Sequence, residues 1–204
     1  MSESIPAEVS AAVPSGTSTT TGSRKSANIT LLVIAAAGAA VSVSLGVYGR
    51  EHTPSGGVIF DLGFPSMRAM KSWLATVSMA LVFVQVFSAM AMYGRLPRLK
   101  TTPKWVPFAH RWSGTTAFVV SLPVAYHCLW SLGFHTANVR PFLHGLFGLT
   151  FYGAITTKLL GLRSDRLPKW AIPVLGSTVA LTLTGVWLTS ALWFFTNVSF
   201  PALP

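Results

Sequence analysis

Residues 108–132 read FAHRWSGTTAFVVSLPVAYHCLWSL. One charged side chain, Arg111, falls in this run, at its start. A helix needs about 20 apolar residues to cross the hydrocarbon of a bilayer. The run is long enough, and its apolar residues do not alternate as a barrel strand requires. Lipid offers no partner to free backbone groups, so a spanning segment must be a helix or part of a closed barrel. Four more runs of this kind flank it: about 29–47, 72–93, 142–162 and 172–195. The expected fold is therefore all-α, an integral membrane bundle of five transmembrane helices over residues 28–204. Residues 1–27 are rich in Ser, Thr, Ala and Pro without apolar periodicity, and are expected to be a disordered cytoplasmic tail.

Composition agrees. Of 204 residues, 51% are hydrophobic and 10% charged, where soluble domains carry about 25% charge. Mean hydropathy is +0.55. A single cysteine excludes a disulfide framework or any two-cysteine zinc or redox site within the chain. Walker A, G-x-G-x-x-G, H-E-x-x-H, G-x-S-x-G and C-x-x-C-H motifs are absent.

The net charge of +10 is a topology signal. Eleven Lys and Arg residues cluster before span one, around loop two and around loop four, including Arg24, Lys25, Arg95, Lys104, Arg163 and Lys169. Only Arg50, Arg68, Lys71 and Arg140 lie on the other side. The positive-inside rule places the N-terminus inside and the C-terminus outside. The expected partner is the lipid bilayer of the plasma membrane, with no nucleic acid, because the basic residues form no aromatic-interleaved patch.

The five acidic residues all fall outside the spans, which argues against carboxylate-coupled ion transport. The histidines stand out among the ionisable groups in or at the ends of the spans: His110, His127 and His144. Each has a bland reading as an interfacial ring with local hydrogen bonds. Depth separates them. His110 and His127 are 17 residues apart on one helix, about 25 Å, and cannot share a metal. His127 and His144 flank a short turn and lie at similar depth on the outer side. Matched imidazoles on two helices are the ligand set of bis-His haem b. Gly114 and Gly148 stand four residues after His110 and His144, on the same face, where a porphyrin or simply a closely packed helix would fit. The short turn predicts spans three and four as neighbours about 8–10 Å apart, tight for a haem unless they splay at Pro123. Met90 and Met92 could offer a thioether on the inner side, though a Met in an apolar helix usually fills core.

Residues 110–158 resemble a group of small actinobacterial five-helix membrane proteins of uncharacterised function. More distantly they resemble cytochrome b561 and ferric-reductase-type membrane proteins. The carrying residues are His110-Arg111-Trp112-Ser113-Gly114, Pro123 to His127, His144 with Gly148, and Tyr152-Gly153. The resemblance implies haem b on paired histidines and electron transfer across the membrane. Four histidines would serve two haems; three are present, and Lys158 stands where a fourth would fall. One outer haem on His127 and His144 is expected, with His110 at a weaker inner site or none. A quinone or a redox partner protein would exchange electrons with it. An electron carrier is expected rather than a stand-alone enzyme. The alternatives are a cofactor-free accessory or scaffold subunit of a larger complex, or a small His/Met metal-handling transporter.

Overall fold

A computed structural model describes residues 19–97, 99 and 101–198 of the chain. Five long helices follow one another: α1 (Thr19–Glu51), α2 (Met67–Met92), α3 (Val106–His127), α4 (Val139–Gly161) and α5 (Ala171–Trp187). A short α6 (Trp193–Asn197) closes the order, and no strand occurs among the described residues. Two π turns, Cys128–Leu132 and Leu188–Leu192, prolong α3 and α5. The expected all-α class and the five helical segments are found.

α1 begins at Thr19, inside the segment expected to be an irregular tail. Once the apolar run has nucleated a helix, each further residue adds one hydrogen bond, so the helix extends back past the span. Residues 1–18 lie outside the described part.

Among the described residues, four helices are long and apolar enough to cross a membrane: Ser26–Glu51, Met67–Met92, Val106–Leu132 and Ala171–Asn197. α4, with 23 residues, has the length. Its hydropathy is diluted by His144, Tyr152, Thr156, Thr157, Lys158 and several glycines. Burial supports a lipid environment. The exposed positions include Leu32 and Leu181, both 71% accessible, and Phe83 and Phe87. The buried ones are mostly small or polar, such as Ser72, Ser78, Ser113, Ala117, Ser121 and Ala191. A water-soluble core has the opposite bias. In lipid, helices associate through small residues that let backbones approach, while large apolar side chains face the acyl chains.

α1 against α4 shows this principle. A Cβ on Gly38 would strike Thr157 Oγ1, and one on Gly153 would strike Ser42 Oγ. Ser42 Oγ donates to Leu149 O at 2.8 Å, so the two helices touch through backbone. α2 packs along α3, and α4 along α5.

The expected adjacency of spans three and four is not found: α3 and α4 are not packed along one another. The connection explains why. Phe134 N donates to Gly49 O at the end of α1, 2.7 Å away. The Phe134 ring fills the space where a Cβ on Gly145 would sit. The turn thus ties to α1 and wedges the start of α4 away from the end of α3. Tyr152 bridges the gap lower down, its hydroxyl within 2.9 Å of Ser121 Oγ.

Residues 52–66 fold over the same end of the bundle. Ser55 N and Gly56 N donate to Trp130 O and Ser131 O, and Ser131 Oγ returns a bond to Gly57 O at 2.8 Å. Ser66 then caps α2, accepting from Ala69 N.

Candidate functional site

The splay of α3 from α4 leaves a cavity of about 350 Å³ in the half of the bundle expected to face outward. Its walls come from α2, α3, α4 and α5, with Leu45 of α1, and are mostly apolar. Binding sites for small molecules and cofactors commonly have this character, apolar with few convergent polar groups. Both π turns contribute wall residues, Cys128 and Leu129 on one and Thr189 and Ser190 on the other. Such turns re-aim side chains that a regular helix would point elsewhere, and they recur at functional sites.

His144 is the one expected ligand on this wall. Its Nδ1 lies 3.2 Å from Thr189 Oγ1. The Thr189 hydroxyl proton is already donated to Gly185 O at 2.7 Å. Thr189 Oγ1 must therefore accept from His144 Nδ1–H. That assignment fixes the tautomer and leaves a lone pair on Nε2, the nitrogen a metal would take. One turn further along α4, a Cβ on Gly148 would meet nothing within 4 Å. The expected flat gap beside His144 is present.

Arg68, Lys71, His135 and Arg140 line the end of the cavity nearest the loops. Arg140 is held across to α5: Nη1 donates to Thr189 O at 2.9 Å, and the guanidinium sits 4.0 Å from the Trp193 ring centroid.

His127 lies elsewhere. It is fully buried, 0% accessible, but is not part of the cavity wall. Its Nδ1 lies 2.9 Å from Pro123 O; a carbonyl only accepts, so Nδ1 carries the proton. Nε2 is buried without a partner. Its chemistry fits a ligand, but the space around it does not. Phe60 packs edge-on against the ring at 4.5 Å, with Tyr126 also beside it. Sequence reasoning placed His127 and His144 at matched depth; it could not see that successive residues on α3 face different ways, Cys128 to the cavity and His127 to the loop.

His110 is not on this cavity's wall either. Its Nδ1 lies 2.8 Å from Ser88 Oγ. Gln85 Nε2 donates to His110 O and, at 2.7 Å, to Ser113 Oγ. A Cβ on Gly114 would come within 3.0 Å of Gln85 Oε1, so the gap expected beside His110 is filled by the Gln85 side chain. Among the described residues, no group of three or more His, Cys, Asp or Glu is placed to hold a metal ion. The positioning role of Thr189 and the presence of Cys128 were missed in the sequence, because neither the π turns nor the splay leaves a local signature.

Residues 31–202 match the model of a family of unknown function, DUF6529. The chain belongs to that family. No curated protein and no solved structure matches it.

Proposed function

We propose that this DUF6529 member is a five-span plasma-membrane protein, N-terminus inside and C-terminus outside, and that its outer cavity holds haem b on His144. Haem b supplies one-electron chemistry. The function is then electron transfer within the membrane, with a quinone or a redox partner protein at the outer side as the other participant. The observation that carries this reading is the combination at His144. A tautomer-fixed imidazole offers Nε2 to an apolar cavity, beside the open face of Gly148. Arg68, Lys71 and Arg140 at the mouth match the propionates of haem. The Gln85 side chain beside Gly114 supports a reading with one haem and none at His110.

The apolar cavity with a cationic mouth also favours a second reading, in which a cofactor-free accessory subunit holds an anionic lipid there. The two separate on mutants of protein expressed with ample haem. On the haem reading, His144→Ala removes most of the Soret absorbance and His127→Ala leaves most of it, because His127 faces Phe60. On the lipid reading neither variant differs from wild type, and none shows a Soret band. Equal losses in the two variants would restore the His127–His144 pair and overturn the geometry described above.

A further inference from the structure

One nucleophilic side chain on the cavity wall has no role in the reading above. Cys128 is the chain's single cysteine, and its thiol is free. Its Sγ lies 3.9 Å from His144 Nε2. The two come from α3 and α4, the helices that splay, so the pair faces across the cavity. Cys128 is the first residue of the π turn that ends α3, and Thr189, which orients His144, lies in the π turn that follows α5. Two local distortions at one level of the bundle thus converge on a single imidazole.

The separation is that of two donors serving one centre. A nitrogen and a sulfur bound to one ion at about 2.0 and 2.3 Å sit about 4.3 Å apart when opposite one another, as on haem iron, and closer at smaller angles. The 3.9 Å contact, across which the thiol can donate to Nε2, suits the smaller angles as it stands and haem iron after widening by about 0.4 Å. Imidazole and thiolate together suit iron, zinc or copper(I), and Cys thiolate is a known haem ligand. The thiol is also at the right end of the cavity for its charge. Arg68 and Lys71 share the wall, and Asp and Glu are absent from it, so a thiolate would have cations and no carboxylate near it.

We propose that Cys128 and His144 form the donor pair of a metal centre in this cavity, with Cys128 taking the place that sequence spacing assigned to His127. The inference depends on the haem reading only for the identity of the centre, haem iron; the pair itself stands on geometry. Binding forms an Sγ–metal bond and breaks the S–H bond. The proton leaves to water at the cavity mouth, and no electron is transferred. Thr189 holds the imidazole so that Nε2 faces the sulfur.

The test uses the full chain in detergent, loaded in separate arms with haemin and with Zn²⁺ alone. It reads the rate at which an apolar maleimide labels Cys128. Haemin is expected to slow labelling of the wild type by about tenfold or more, and His144→Ala to abolish that protection. In Cys128→Ser, haemin should still bind through His144 but with a changed spectrum, without the thiolate signature in the ferrous–carbonyl form. If haemin leaves no Soret band while Zn²⁺ protects Cys128 in a His144-dependent way, the donor pair stands and the haem reading falls. If haem binds, Cys128 labels at the unloaded rate and Cys128→Ser keeps the wild-type spectrum, the pair is overturned while the haem reading stands. If neither haemin nor Zn²⁺ protects Cys128 and no Soret band forms, both are overturned. The labelling arms with wild-type protein hold even if a variant folds poorly.

Discussion

At the level of single residues, the polar groups buried between these helices divide into those with closed hydrogen bonds and those with a free valence. Gln85 belongs to the first kind. It ties α2 to α3 through His110 O and Ser113 Oγ. Gln85→Leu strands those acceptors and should lower unfolding stability in detergent by about 1–3 kcal/mol while leaving any outer haem spectrum unchanged; thermal unfolding monitored by circular dichroism checks the first part and absorbance the second. His144 belongs to the second kind, because Thr189 takes one nitrogen and only the weakly bonding Cys128 thiol, 3.9 Å away, meets the other. Thr189→Val removes the acceptor for Nδ1–H and should weaken metal or haem affinity by about 10–100-fold, with Thr189→Ser restoring it. A titration of haemin into the three proteins reads this directly. An unchanged affinity in Thr189→Val would show that His144 needs no orienting partner. His127 was legible in the sequence as a histidine near the end of a span, and the structure buries it fully. Its direction was not legible, since one position along a helix turns a side chain by about 100°.

At the level of helices, sequence runs located all five elements because hydropathy is summed over about 20 residues and survives local irregularity. What the runs could not report is which helices touch. The short connection between α3 and α4 pointed to neighbours, yet Phe134 anchors it on α1 and wedges α4 outward. The contact that does form, α1 on α4, depends on Gly38 and Gly153, whose significance as a pair 115 residues apart no sequence period reveals. Gly153→Leu places a side chain into Ser42 and the Gly38 carbonyl. It should cost about 1–3 kcal/mol, the usual range for overpacking, and should detach α1 before the other helices. Proteolysis in detergent that releases an α1 fragment earlier than in wild type would be the sign; an unchanged digest would mean that α1 is held by other contacts.

At the level of the whole molecule, the inverted burial pattern and four strongly apolar helices give a multi-pass membrane protein. Orientation comes from charge. A tag appended after Pro204 should react with a membrane-impermeant reagent in intact cells, whereas one placed before Met1 should react only after the membrane is opened. The reverse result would invert the cavity, turning Arg68, Lys71 and Arg140 toward the cytoplasm. Five cationic or histidine side chains on one cavity, with α3 and α4 held apart around it, make this end of the bundle the place where function is sought. The central claim is that this cavity carries haem b on His144. The visible absorption spectrum of wild-type protein purified after expression with ample haem supply tests it most directly. The account predicts a Soret band and an α band that sharpens on dithionite reduction, at one haem per chain; protein that is folded and colourless under those conditions would contradict it.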